Sequence, residues 1–507
     1  MSLNDVTFVK GQGGLGRPLP GQDFISGLIF YSGTLPSGFS LSSNIQKFFS
    51  VADAETAGIS PDYNDELAAT ATITVTAIGN TGDSLAVMVA EPFGVAVNLG
   101  TYTKAPGDTS TALVALGITQ TINTNTQTTG YTASLAGSVI TVSARKGLGV
   151  FLNTGSPLST TITGTILVTI VQFSGGAASL QAVWHYHISE YFRIQPQGVL
   201  FVGIFPVPST YTFTEIQTLQ QFAGGVVRQV GVYKDGSAYN TGDLTAIQAV
   251  KLTLDALHMP LSAVYASDIS AITDLSSIGD LSLLTANGVS DCIGQDGAAL
   301  GAALFYASGK SITILGALLG AISLATVSES IAWVQKFNIS NGTEDDVIAF
   351  ANGKLYSDPS ISSSLLNTIN NQRHIFLRSF VGISGSYFND SHTAIAQSSD
   401  YAYIEDNRTI DKADRLVYTN VLPFLNGPIQ LNSDGTISDN SIAYITGLAE
   451  AGLDQMIRDG DLSGRQVTID PTQNLNTQGK LIIAIQLLQE DVARNIQVNI
   501  GYTASLS

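Results

Sequence analysis

His185 and His187 stand two residues apart, so on a strand their imidazoles face the same side and could share a metal ion. Glu190 is close, but no carboxylate or cysteine falls at ligand spacing, and we read the pair as polar histidines of a sheet. Gly382-Ile-Ser-Gly-Ser386 approaches the nucleophile elbow G-x-S-x-G, with Ser386 where the last glycine belongs. His392 follows too closely to leave room for an acid between nucleophile and base in the usual order, which argues against hydrolase chemistry. Gly11, Gly13 and Gly16 match the letters of the dinucleotide fingerprint G-x-G-x-x-G. That turn must open directly into a helix, and here Pro18 and Pro20 follow instead. No cofactor, metal or catalytic residue is assigned, and the chain is expected not to be an enzyme.

The densest charge is Asp400, Glu405, Asp406, Arg408, Asp411, Lys412, Asp414 and Arg415, in a chain of which only 12% is charged. Paired carboxylates could cleave a glycoside or hold a metal. Here Arg and Lys interleave with the acids and neutralise them. Asp411 is placed to cap a helix running through Leu425, with Leu416, Val417, Val421 and Phe424 as its apolar stripe. Beside that cap we expect inter-subunit ion pairs, with Arg408, Asp411 and Arg415 as interface residues.

These residues sit in a chain of 507 residues, long enough for two to four domains with sizeable cores. A net charge of −18 argues against partners such as nucleic acid or an anionic membrane, both of which need clustered cations. The single cysteine, Cys292, rules out an intrachain disulfide and a cysteine-based zinc cluster. No cationic and apolar leader opens the sequence, so a classical secretion signal is not expected. The uncharged run 311–327 carries Gly316, Gly320, Ser323 and Thr326 and reads as a buried helix, not a bilayer span.

The elements define an α+β and α/β multidomain chain. Residues 1–22 form an arm, with a short strand at Val6-Thr-Phe8-Val followed by glycines that act as a hinge. Residues 23–67 begin the core, with a strand at Gly27–Tyr31 and a helix over Asn44–Ala54 whose face carries Ile45, Phe48 and Phe49. Residues 68–176 read as an inserted, β-rich surface module. Its strands show in the alternation of Ala71, Ile73, Val75 and Ala77, in Leu85, Val87 and Val89, and over 138–144 and 161–172. Asp108-Thr-Ser110 caps a helix reaching about Asn123.

Residues 177–464 are the α/β core with a mixed sheet: strands at 199–205, 226–233 and 261–265, a helix from Thr241 or Asp243 to Leu257, and another over 439–460. Residues 465–507 carry the C-terminal strands. Lys480–Gln489 is apolar on both faces and reads as a strand covered on both sides, though periodicity alone also permits a buried helix. Ile496, Val498, Ile500 and Tyr502 then share one face of a half-buried strand. Such a terminal strand must pair, with its own sheet or a neighbour's. We read Val6, Phe8, Ile496, Val498, Ile500 and Tyr502 as subunit-interface residues.

Four stretches carry a resemblance: 328–338 (SESIAWVQKFN), 382–390 (GISGSYFND), 399–405 (SDYAYIE) and 407–415 (NRTIDKADR). They resemble the tail sheath proteins of contractile bacteriophages and, more broadly, the sheaths of contractile injection systems. The likeness covers the opening arm, about 177–464 and the final strands, and does not extend to 68–176. It implies a structural subunit in hexameric rings, stacked helically around an inner tail tube, with terminal arms donated to neighbouring sheets. Its implied partners are further copies of itself, the tube protein, and baseplate and tail terminator proteins. The implied location is the virion tail, assembled in the host cytoplasm, and contraction drives the tube through a cell envelope. The competing readings are another virion component (tail tube, capsid or adhesin) or a β-rich surface protein that binds or cleaves carbohydrate. Hollow tubes in electron micrographs would separate a sheath from the latter.

Overall fold

The computed structural model describes residues 22–473, 475 and 479–502. Val6, Phe8 and the glycine run at 11–16 lie outside the described residues. Strand β1 (Ile25–Tyr31) is buried along its whole length, which is why its sequence ISGLIFY shows no alternation. β2 (Ile45–Phe48) and the short helix α1 (Val51–Thr56) follow, the latter capped by Ser50 Oγ accepting from Asp53 N–H. The single helix expected over 44–54 is therefore corrected. Ile45 and Phe48, three residues apart, would share a helical face, but on β2 they enter two different cores on opposite sides of the sheet. Four residues are too few to tell the two periods apart, and Phe49 is exposed.

The next strands and helices gather round a core of their own. They are β3 (Thr70–Ile78), β4 (Ser84–Val89), β5 (Val97–Thr103), α2 (Thr111–Thr124), α3 (Thr126–Thr129), β6 (Thr132–Ala136), β7 (Val139–Ser143), β8 (Leu158–Thr163) and β9 (Ile166–Ser174). Two antiparallel sheets, ordered β6-β7-β3-β9 and β5-β4-β8, enclose Ile73, Val75, Leu85, Val87, Ile118 and Tyr131. The helix starts where the sequence places it, with Ser110 Oγ accepting from Leu113 N–H. One strand expected over 161–172 is two: Gly164, at φ +109°, turns the chain out of one sheet and into the other. Leu67 and Ala177 exchange two backbone hydrogen bonds of 3.0–3.1 Å, so the chain enters and leaves this region side by side.

The body then alternates helix and strand: α4 (Leu180–Ile194), β10 (Val199–Phe205), α5 (Glu215–Phe222), β11 (Gln229–Ala238), α6 (Thr241–Ala256) and β12 (Ser262–Asp268). Short strands β13 (Thr285–Ala286), β14 (Val289–Asp291) and β15 (Gly294–Asp296) lead to α7 (Leu300–Ser308) and α8 (Leu315–Leu324). The main sheet has the order β14-β12-β11-β1-β10-β2, parallel throughout except for β2, and is thus mixed. On one face Leu28, Phe30, Val202 and Ile204 pack against Trp184 of α4 and Leu318 of α8. On the other, Ile29 and Val230 meet Leu219 of α5 and Ile247 of α6.

The uncharged run resolves as α8, nearly all of it fully buried. No described helix is long and apolar enough to cross a membrane. Its glycines are steric necessities: a Cβ on Gly316 would lie 2.1 Å from the His187 carbonyl oxygen, and one on Gly320 would lie 2.8 Å from that of Tyr191. Two helix backbones thus touch at successive turns. The remaining elements are β16 (Ile348–Phe350), α9 (Ser363–Asn371), β17 (Leu377–Phe380), β18 (Ile383–Phe388), β19 (Ala394–Ile395), α10 (Ile404–Val421), α11 (Asp439–Asp459), β20 (Leu462–Thr468) and β21 (Ala484–Gln489). α11 stops at Gly460, in the left-handed region at φ +79°.

Gly316→Ala is expected to destabilise the fold by about 3 kcal/mol, since the obstruction is backbone and cannot rotate away. Gly447→Ala, whose new methyl on α11 meets open space, should be neutral or stabilising by up to about 1 kcal/mol. Urea unfolding of both variants checks the contrast.

Candidate assembly interface

α10 is a polar helix that is buried along its first half, including Glu405, Asp406, Asn407, Arg408, Thr409 and Asp411. Such burial requires a partner for every charge. Its N-cap position is Tyr403, so Asp411 lies two turns inside the helix and caps nothing, which corrects the expected start. Periodicity missed the first two turns because their inward face is polar. Arg408 donates to the carbonyls of Ala325 at 3.2 Å and Thr326 at 3.0 Å, just past the end of α8. Asp411 lies 3.6 Å from Lys251 Nζ on α6, which also holds Asp255 at 2.8 Å. Arg415 reaches Asp23 at 3.0 Å, and Lys412 bridges Asp23 at 3.2 Å and Asp461 at 2.6 Å. Burial raises the Asp411 carboxyl, with Lys251 opposing, and burial lowers the guanidiniums of Arg408 and Arg415. Burial would also raise Asp23, but Lys412 and Arg415 outweigh it and hold that carboxyl below its usual range. Arg408, Asp411 and Arg415 thus bond within the subunit and fasten α10 to three other parts of the body.

The C-terminal segment is tied to the start of the same helix. Gln489 Nε2 donates to Asp406 Oδ1 at 3.0 Å. Arg494 donates through Nη2 to Glu405 and through Nε to Asp390 at 3.2 Å, and its guanidinium sits 3.3 Å from the centre of the Tyr403 ring. Burial pushes the Glu405 carboxyl up to about 7 despite Arg494 beside it. Arg494 escaped the sequence reading, although it is the only cation after Lys480 and follows the acidic break Glu490-Asp491.

The strand expected at 480–489 is shorter and less covered than its composition implies. β21 pairs only with β20 among the described residues, and Ile482 and Leu488 are exposed. Past the Arg494 anchor, Ile496, Val498, Ile500 and Tyr502 are each at least 70% exposed. No sheet partner holds 490–502 among the described residues, and the strand expected there from its alternation is not formed.

The other expected chemistry disperses. His185 and His187 lie on the helix α4, not on a strand, so two residues of separation turns them to different sides. His185 Nε2 is 3.0 Å from Glu55 Oε1. His187 is enclosed by the rings of Phe30, Tyr186 and Tyr233, and burial drives its pKa down to about 3. No group of three His, Cys, Asp or Glu among the described residues is placed to hold a metal. Gly382–Ser386 forms the turn and start of the β17–β18 hairpin, not a strand-to-helix elbow, and Ser386 Oγ donates to the Asp345 carbonyl.

The described residues thus make a mixed α/β protein of several cores, with a charged helix anchoring a free C-terminal segment. The chain belongs to the DUF2586 family: the model of the N-terminal domain matches residues 3–392 and that of the C-terminal domain residues 400–507. The junction between the two falls just ahead of α10. No curated protein matches the chain. Among solved structures it aligns with a chain of the anti-feeding prophage helical sheath in its contracted state, at 15% identity and a TM-score of 0.44, over 63% of this chain and 81% of that one. A second is from the PVC sheath complex of an extracellular contractile injection system, contracted, at 13% and 0.42, covering 63% and 80%. A third, from the anti-feeding prophage baseplate, gives 14% and 0.42 over the same shares.

Arg494→Ala should be pH-dependent in its cost. Glu405 has a folded pKa near 7, above the unfolded value of about 4.3. Its contribution to stability is therefore complete below about pH 4 and is lost as pH rises toward 7. Without Arg494 the carboxyl loses the cation that favours its charge, so ionisation is costlier still. The variant should lose about 3 kcal/mol at pH 8 and clearly less at pH 5, where Glu405 is neutral. Urea unfolding at the two pH values measures the difference, and equal losses would contradict it.

Proposed function

We propose that this protein is the structural subunit of a contractile sheath, forming stacked hexameric rings around an inner tube and shortening to drive that tube through a cell envelope. The observation that carries the reading is the apolar alternating face of Ile496, Val498, Ile500 and Tyr502, exposed beyond a firm anchor at Arg494. A strand with no sheet partner of its own adds to another sheet through main-chain bonds and alternate side-chain pockets. Repeating one such head-to-tail contact with a fixed rise and rotation builds a helical tube. The resemblance of 328–338, 382–390, 399–405 and 407–415 to sheath proteins supports the same assignment.

In this reading Val6 and Phe8 belong to a second donated strand at the other end of the chain. Arg408, Asp411 and Arg415 act from behind the interface, holding α10 so that the arm leaves a rigid root. The 68–176 region is a surface module carried on the sheath's exterior. The inner tube, baseplate and terminator proteins are the further partners, within a virion tail assembled in the host cytoplasm.

Removing Ile496–Ser507 keeps Arg494 in place and should leave a folded subunit that builds no tubes. Each lost side chain is worth roughly 1.5–3 kcal/mol of burial at every junction. Electron microscopy and circular dichroism read the two outcomes, and normal tubes from the truncated chain would sink the mechanism. Val498→Pro, which removes a ladder donor, should weaken assembly in the same direction. Replacing residues 68–176 by a short Gly-Ser linker should leave tube formation intact, because Leu67 and Ala177 already lie side by side. Loss of tubes from a folded product would make that region part of the architecture.

A further inference from the structure

Three parts of the body bring their acids to one buried place. α4 supplies Glu190, the junction of β15 and α7 supplies Asp296, and the segment between α8 and β16 supplies Glu344 and Asp345. Arg193, also on α4, is the cation that faces them. It forks onto Glu190 and donates through Nη2 to Asp345 Oδ2 at 2.9 Å. Asp296 accepts from the N–H groups of Ala299 at 2.8 Å and Ala302 at 3.2 Å, at the start of α7. Gly301 is wedged beside it: a Cβ there would lie 2.7 Å from the Tyr186 hydroxyl and 2.9 Å from Asp296 Cβ. Fully ionised, the four carboxylates would far outweigh the single guanidinium, around an Asp345 side chain with no exposed surface.

Three polar atoms of this cluster have no partner among the described residues: Glu344 Oε2, Asp345 Oδ1 and the Tyr186 hydroxyl. All three are closed to solvent, so no hydrated ion reaches them to settle the charge. A proton needs no such room, and on either carboxyl it removes a charge and turns an acceptor into a donor. Burial raises Asp345 well above the ordinary carboxylate range, with Glu190 adding to the effect and Arg193 opposing it. Burial, Asp296 and Glu190 push Glu344 up to about 7. Burial raises Asp296 as well and keeps the Tyr186 hydroxyl protonated. The segment that carries Glu344 and Asp345 is pinned at both ends. Ile339 N–H donates to the Ser386 carbonyl at 3.0 Å and its own carbonyl accepts from Arg193 at 2.7 Å, while Gly297 N–H donates to the Val347 carbonyl at 2.7 Å. Between these ends Asn341, Gly342 and Thr343 are exposed, and Asp345 sits in the left-handed region at φ +60°.

We propose that residues 340–347 form a proton-operated latch, shut against α4 and α7 while Glu344 and Asp345 are protonated and released when those protons leave. In a free segment both carboxyls titrate near about 4, below their values in the closed one. Their contribution to closure is therefore complete below about pH 4 and falls as pH rises, Glu344's share being lost by about 7 and Asp345's above it. Hydrogen exchange read by mass spectrometry on the full-length subunit, corrected for intrinsic exchange rates, gives the opening constant of 339–347. Between about pH 5 and 6.5 opening releases two protons, so the constant should rise about a hundredfold per pH unit. Asp345→Asn and Glu344→Gln should each reduce that rise to about tenfold. Glu344 is only half-buried, so Glu344→Gln carries the test alone where Asp345→Asn does not fold. Peptides of α8 should keep their protection throughout, which separates release of the segment from unfolding of the body. The measurement requires no assembled particle and does not depend on the sheath reading. A pH-independent opening constant, a slope that a folded variant leaves unchanged, or an equal loss of protection in α8 would overturn the proposal.

Discussion

The body rests on the contact of α8 with α4, where glycine meets backbone carbonyl at Gly316 and Gly320. No side chain separates the two helices there, so neither can slide without steric conflict. Both lie against the face of the main sheet that carries Leu28 and Phe30. The carbonyls of Ala325 and Thr326, just past the end of α8, are the acceptors for Arg408. Through that bond the position of α8 sets the position of α10, and the first turn of α10 sets Glu405 against Arg494. A continuous path of close contacts therefore runs from the centre of the sheet to the point where the C-terminal segment leaves the body.

Charge is handled by the same economy. A chain with so few cations places several of them on a buried helix and surrounds each with carboxylates or carbonyls. Lys251 serves two acids, Lys412 three, and Arg494 two acids and an aromatic ring. Removing one partner of such a buried pair costs far more than deleting an exposed one, since the remaining charge stays desolvated. The polar character of α10 is thus structural, and its sequence resembles a solvated helix only because its partners are distant in the chain.

Much of the fold was legible because burial on both faces leaves an uninterrupted apolar run and burial on one face leaves alternation. β1, β10 and β12 showed the first signature, and β3 and β4 the second. α8 was legible from its uncharged apolar run, and α11 falls where the sequence places a helix over 439–460. The failures have separate physical causes. Ile45–Phe48 is too short for its period to register, and His185 and His187 were read with the wrong period. At Asp411 the inward face of the helix is polar, so no hydrophobic pattern marked its first turns. Long-range partners such as Asp23 for Arg415, or Tyr403 for Arg494, leave no trace in local spacing. The apolar face of 496–502 was legible as a pattern, but the described residues leave it exposed.

The anchor at Arg494 also sets a length scale. From that side chain's position to Tyr502 the backbone can span at most roughly 27 Å when fully extended. The first residue of the exposed apolar face, Ile496, comes only two residues past the anchor, which leaves almost no slack ahead of it. Any edge that accepts this segment has to lie within one tether length of the N-terminus of α10, and its first rung has to lie within a few ångströms of it. In the proposed sheath the segment would thus be a short ruler, setting how far apart two joined bodies could stand before it must let go.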